Sequence, residues 1–219
     1  MKKVLLSALI SQEQKSNPSA IVFSYVIQKN TRLELINDLL EDTGISEVSH
    51  EITIIVQSHA CLHYYQAIQK SQSLTYTKKL SVVLEGEGAS ACMFMRYILI
   101  GAQKFSMVTE QRHLAIKTKS ELSLRTALYD NACVYNKSII SVFKNCYDVI
   151  VQQENKNLLL SPDIRVITKP EIDIRSSHVK CTHGAITSPV NQEQTWYLMS
   201  KGILEKDAQK LIINGFLNV

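Results

Sequence analysis

The stretch from Glu51 to Gln69, EITIIVQSHACLHYYQAIQ, holds two runs of β-branched and aromatic residues separated by a short polar break. Each run has the length and residue types of a strand. The break, Ser58-His59-Ala60, has none of the Asn-Gly, Asp-Gly or Gly-Gly pairs that close a tight hairpin. It ends instead on a small residue, as a corner would if the chain turned inward there and stacked on a neighbouring turn.

The same texture extends in both directions. Ala20–Gln28 (AIVFSYVIQ) and Leu80–Gly86 (LSVVLEG) read as strands, and so do MFMRYILIG, SMVTEQRHLAIKT, LRTALYDNACVYNKSIISVFKN, NLLLSPDIRVIT and EIDIRSSHVKC. The intervals are close to ten residues and persist over more than a hundred positions, without a strict sequence repeat. A sandwich, a barrel or a β-solenoid produces such spacing. The corners favour the solenoid. Gln57–Ala60, Gly86–Ala89 and Tyr129–Ala132 each place an alanine after a polar break, and the chain has only seven glycines. MKKVLLSALI reads as a first strand and makes a poor signal peptide. Leu33–Asp42 (LELINDLLED) reads either as a helix or as a strand ending in an acidic loop.

The pattern changes after Pro189. NQEQTWYLMSKG reads as a helix with Asn191 as N-cap, Gln194 in capping-box position and Gly202 as the stop. ILEKDAQKLIINGF reads as a second helix, with Leu204, Ala208, Leu211, Ile212 and Gly215 on one face. The expected organisation is a mainly β body, a β-helix over residues 1–188, followed by a two-helix region over 189–219.

Bulk composition narrows the function classes. The 219 residues carry a net charge of +4, and no block of five or more like charges suggests a nucleic-acid partner. No stretch approaches the roughly 18 apolar residues of a membrane helix. Five widely spaced cysteines (61, 92, 133, 146 and 181) form no disulfide framework and fit a reducing, cytoplasmic compartment. GxSxG, HExxH, P-loop and GxGxxG motifs are all missing, and Gly86–Gly88 is too short to cradle phosphates, so neither enzyme activity nor nucleotide binding is expected.

One pair carries chemistry. In extended chain, Cys181 and His183 point to the same side. Thiolate and imidazole are both ligands for zinc or iron. Two ligands do not complete a site, so the others would come from elsewhere in the fold or from a second chain. The competing reading is a buried cysteine and a histidine at the sheet end. Cys61, Cys92, Cys133 and Cys146 read as small hydrophobes in β context. His59, His63, His113 and His178 form no ligand pattern, Glu171 and Asp173 read as strand charges, and Trp196 and Tyr197 read on their own as helix packing.

From Asn155 onward the motifs resemble the closing segment of the SufB/SufD family, the scaffolds of the Suf iron–sulfur cluster assembly system. NLLLS, TKPEIDI, VKCTHGA, YLMSKGI and AQKLIINGF occur in order. A weaker likeness runs upstream through RLELINDLLED, ITIIVQSHACLHYYQAIQ and LEGEGASACMFMRYILIG, so that the resemblance spans roughly Ala20 to Val219. It implies a right-handed parallel β-helix followed by C-terminal helices, and pairing through the C-terminal end of the β-helix with a SufB-type paralogue or with an identical chain. It also implies binding of the SufC ATPase by the helical region, for which Trp196, Tyr197, Leu198, Leu211, Ile212 and Phe216 are the candidates. Cys181 and His183 match the CxHG motif of SufD-type members at the paired interface, where a transient iron–sulfur cluster would be assembled. His183-Gly184-Ala185 is SufD-like, whereas AITSPVN and LIINGF resemble the SufB side. The N-terminal helical domain of typical members has no counterpart here. A purely structural subunit that ligates nothing is the alternative, and a β-helix carbohydrate enzyme a more distant one.

Overall fold

A computed structural model describes residues 2–10, 19–39, 46–69 and 75–217. These residues form two parallel sheets wound as a flattened β-solenoid. The seven-stranded sheet takes β1 (Lys2–Leu5), β3 (Arg32–Ile36), β5 (Cys61–Gln69), β7 (Ser90–Leu99), β9 (Lys119–Leu128), β11 (Val149–Leu159) and β13 (Val179–Pro189). The six-stranded sheet takes β2 (Ala20–Ile27), β4 (Glu47–Val56), β6 (Thr75–Leu84), β8 (Lys104–His113), β10 (Cys133–Val142) and β12 (Arg165–Ile174). Every strand pairs with the strand two later in sequence, so one turn of the coil contributes one strand to each sheet. Leu33, Leu62 and Ala91 stack in register, as do Ile52 and Leu80.

The expected β-helix is therefore the fold, but its period is longer than the sequence suggested. Strands begin at residues 47, 61, 75, 90, 104, 119 and 133, because ten-residue strands alternate with short corners. Arg32–Ile36 is a strand, and the acidic end of the Leu33–Asp42 segment lies outside the described residues.

Corners stack as the strands do. Ala60, Ala89 and Ala132 are buried, and each donates its backbone N–H to the residue three before it. Asn30, His59, Gly88, Lys117, Asp148 and His178 all take a left-handed backbone just before a strand of the seven-stranded sheet. The column is joined by bonds such as His59 N to Glu87 O and Lys117 N to Tyr147 O, both 2.9 Å. Gly86 meets this column most closely: a Cβ there would lie 1.9 Å from the Ser58 backbone nitrogen. Its role is steric, inside a corner.

Inward side chains alternate with outward ones along each strand. In the earlier turns they are mostly apolar, and one cluster runs from Leu6 to Val134. Within it lies a polar knot. The Lys78 ammonium donates to Tyr64 Oη at 2.9 Å and to Gln66 Oε1; Tyr97 Oη donates to Gln66 Oε1 at 2.7 Å; Asn37 Nδ2 donates to Tyr64 Oη at 2.6 Å. Burial drives the Lys78 amine well below its ordinary range and the Tyr64 phenol well above. Lys78 shares its side of the strand with Tyr76, Leu80, Val82 and Leu84, so a lysine stands where the alternation calls for an inward residue.

Two helices follow β13: α1 (Gln192–Ser200) and α2 (Glu205–Leu217). Asn191 caps α1 by accepting from Glu193 N at 2.9 Å, and Gly202 has φ +87° after its end. The cap thus engages the second helical residue, Glu193, rather than Gln194. The buried face of α2 also differs from the expected one. Ala208, Ile213 and Leu217 are buried, while Leu204 and Leu211 are 73% and 51% exposed. Ile213 and Leu217 pack with Ala127 and Leu158 on the outer side of the seven-stranded sheet. Arg96 Nε donates to Leu217 O at 2.8 Å and Arg125 Nη1 to Phe216 O at 2.6 Å. Two cations thus meet the carbonyl end of the helix, where the helix dipole favours positive charge.

Candidate functional site

The solenoid ends differently at its two ends. At the first turns, Leu6 and Ile10 are buried in the main core cluster. At the last turn, β12 and β13 each have only one strand neighbour. Their far edges therefore carry backbone donors and acceptors unused by the sheets. Their inward side chains are also poorly covered, since no further turn lies over them.

Cys181 and His183 sit on that last strand. β13 is extended from Val179 to Pro189, so both side chains project to one side. Register shows which side. Cys181 pairs with Val151 and His183 with Gln153, both buried inward residues of β11. The pair thus faces the mouth of the coil. Cys181 is half-buried against the small cluster of Ile140, Val142, Cys146, Val149 and Val151, and burial raises its thiol pKa. A bound metal would have to overcome that preference for the protonated form by direct coordination. His183 is exposed. Across the mouth, β12 presents Thr168, Pro170, Ile172 and Ile174 in register with inward residues of β10. Ile172 and Ile174 are 41% and 38% exposed. Sequence reading took EIDIRSSHVKC as one strand run and gave these isoleucines no role; the inward alternation of EIDI is the signal that points to them.

Among the described residues, no three His, Cys, Asp or Glu side chains converge to hold a metal ion. Cys181 and His183 are two donors without a third on this chain's described part. The remaining cysteines, expected as small hydrophobes in β context, occupy different positions. Cys146 is buried at a corner, but Cys61, Cys92 and Cys133 are half-buried at outward positions of their strands. Burial and the neighbouring Glu121 carboxylate push the Cys92 thiol up to about 11, the opposite of an activated thiol. His113 is inside the solenoid, between Thr118 Oγ1 and Ser120 Oγ at 2.8 Å each, and burial lowers its pKa to about 4. His59 is a corner residue and His63 stacks on Tyr65 outside. Glu171 and Asp173 are surface charges paired with Lys137 and Arg175.

The helices form a second exposed surface. Trp196 and Tyr197 are each 63% exposed, so their reading as helix packing is not met; Met199, Leu204 and Leu211 are also exposed. Leu198, Ile212 and Phe216 are half-covered, Phe216 against the cluster of Ala127, Leu158, Ile213 and Leu217. No described helix is long and apolar enough to cross a membrane.

A parallel solenoid with an uncapped last turn, a Cys-x-His pair at its mouth and a helical hairpin on its flank defines the class of protein. Residues 4–216 match the family described as SUF system FeS cluster assembly, SufBD core domain, and the chain belongs to that family. It is 36% identical over 92 residues to the iron–sulfur cluster assembly protein SufD of Escherichia coli, covering 42% of this chain and 22% of that protein. It is 45% identical over 65 residues to a SufBD family protein of Synechocystis, covering 30% and 14%. Similarity to the SufB protein of Bacillus subtilis is 28% over 136 residues, covering 62% and 29%. The chain thus matches less than a third of the length of each of these relatives, and it is similar to proteins named both SufD and SufB.

Proposed function

We propose that this chain is a non-catalytic scaffold subunit of a cytoplasmic Suf iron–sulfur cluster assembly complex. It pairs through its last turn, β12 and β13, with a SufB-type chain or a second copy of itself. Cys181 and His183 meet donors from the partner there and contribute to a nascent cluster, which is the cargo of the scaffold. A SufC-type ATPase docks on the helical region through Trp196, Tyr197, Leu198, Leu211, Ile212 and Phe216. The body, residues 1–188, carries the pairing surface, and residues 189–219 carry the ATPase surface.

The observation that carries this reading is the uncapped mouth. Two edge strands, two exposed isoleucines and an exposed histidine beside a half-buried thiol lie on one surface. Such a surface is costly to leave in water and suits strand pairing with another chain. A donor set split between chains would also let a cluster be released when the pair opens, because neither chain alone provides a closed cage. The alternative, a structural partner that ligates nothing, uses the same pairing surface and differs only at Cys181 and His183.

Co-purification with SufB-type and SufC-type partners separates the two surfaces. Ile172→Glu/Ile174→Glu should abolish pairing with the SufB-type chain and leave SufC binding in place. Trp196→Ala/Tyr197→Ala should do the reverse. Loss of neither interaction in either variant would rule out this assignment of surfaces.

A further inference from the structure

The interior of the last turns holds polar atoms that the protein itself does not satisfy. Asn136 and Asn155 each have both side-chain atoms buried with no hydrogen-bond partner in the protein. Asn157 Oδ1, Gln111 Oε1 and Thr126 Oγ1 are in the same condition. All five residues are at most 2% exposed.

These residues lie together. Asn157 Nδ2 donates across the core to Thr168 Oγ1 at 3.3 Å and to Thr187 Oγ1 at 3.2 Å. Asn136 stands next to Thr168 in register, and Thr126 next to Asn157. Asn155 is two residues from Asn157 on the same inward side of β11. Gln111 Nε2 reaches Gln153 Oε1 across the core at 3.3 Å, and Gln153 stands in register beneath His183. A layer of amides and hydroxyls therefore lies between the sheets in the two turns below the mouth. Two of its contacts, Thr168 and Thr187, belong to the terminal strands themselves.

A buried amide left without partners is strongly disfavoured, and native proteins resolve it with a bound polar species. The lining offers donors and acceptors in similar number and no charged side chain. That chemistry fits water, which gives and accepts, better than an ion. We propose that the last turns of the solenoid bind a cluster of ordered water molecules, held by Asn136, Asn155, Asn157, Thr126 and Gln111. This hydrated compartment lies beneath Ala185 and Thr187 of the last strand, and Gln153 extends it towards His183. The compartment rests on buried amides and stands whether or not Cys181 and His183 ligate a cluster.

The test is a high-resolution crystal structure of the full chain, with a second crystal grown in rubidium chloride, and oxygen-17 relaxation dispersion in solution. Expected are at least two spherical density peaks within hydrogen-bonding distance of the Asn136 and Asn155 amides, unchanged by rubidium and without its anomalous signal. Dispersion should report long-lived internal water that is reduced in Asn136→Leu/Asn155→Leu. A rubidium anomalous peak would make the site a monovalent-cation site and overturn the proposal. So would a dry interior in which the amides pair with one another, or a dispersion signal equal to that of a protein without internal water.

Discussion

The two halves of the solenoid share a backbone plan and differ in what fills it. Following single columns inward shows the change. Ile52 and Leu80 give way to Thr109 and Ser138; Val82 gives way to Gln111; Leu84 gives way to His113. In the other sheet, Met93 and Leu122 lead to Gln153 and then His183, and Met95 and Leu124 lead to Asn155. The early turns build an apolar core that stabilises the coil by burial. The later turns give up much of that burial for amides and hydroxyls. Parallel ladders alone can hold the shape of those turns. What the exchange provides is a polar interior leading to the surface where Cys181 and His183 stand. In the proposed reading, stability and function are thus separated along the axis of one fold.

Substitutions should expose that separation. The largest effect is expected at a corner of the early half. Gly86→Ala forces a Cβ into the Ser58 backbone, which cannot yield as a side-chain tip would, and should cost upward of about 4 kcal/mol in denaturant unfolding. Within one column, Leu80→Ala should cost about 3 kcal/mol. Ser138→Ala, in the same column two turns later, loses only its bond from Thr109 Oγ1 and should cost about 1 kcal/mol. Equal costs at the two positions would erase the contrast between the halves.

Acid should act on the later half through His113. Its ordinary pKa of 6.5 falls to about 4 in the fold because burial disfavours the imidazolium. Between those values the unfolded chain binds a proton that the folded chain does not, so stability falls as pH drops from 6.5 towards 4 and levels off below. The loss is up to about 3 kcal/mol. His113→Gln should flatten this part of the pH profile in equilibrium unfolding, and an unchanged slope would show that the imidazole titrates normally.

An effect opposite in sign is expected at Lys78. Among the described residues no carboxylate pairs with its buried amine, and its folded pKa lies well below 10.5. It therefore costs stability at neutral pH, and the cost is relieved as pH rises towards 10.5. Tyr64 Oη and Gln66 Oε1 keep Asn37 and Tyr97 as donors when the amine is removed. Lys78→Met should raise stability by about 2 kcal/mol at pH 7, read as a shift in the denaturation midpoint. A loss instead would mean that the amine is an indispensable member of the knot.

Much of the fold is legible in the residues. Alternation of branched and polar positions marks the strands, and alanine after a polar break marks the corners at residues 60, 89 and 132. Cys181 and His183 are legible as a pair because strand geometry fixes their common side. Less visible is whatever depends on contacts between the sheets. Lys78 shares its parity with Tyr76, Leu80, Val82 and Leu84, so the alternation places it inward, but the partners that hold its amine emerge only when the sheets are stacked. The α2 face is misread for a related reason. Leu204 and Leu211 suit an apolar stripe, but the helix is oriented by the outer surface of β9 and β11 and by Arg96 and Arg125, far away in sequence. The polar filling of the last turns is hidden too, since Asn136, Asn155 and Asn157 look like ordinary outward residues.

The most direct test of the proposed role is anaerobic reconstitution with iron and sulfide of the complex with SufB-type and SufC-type partners, comparing wild type with Cys181→Ala/His183→Ala. The account predicts that both complexes assemble and that only the wild type develops the visible absorption of an iron–sulfur cluster. Equal absorption from both would contradict it and leave the mouth of the solenoid as a pairing surface that ligates nothing.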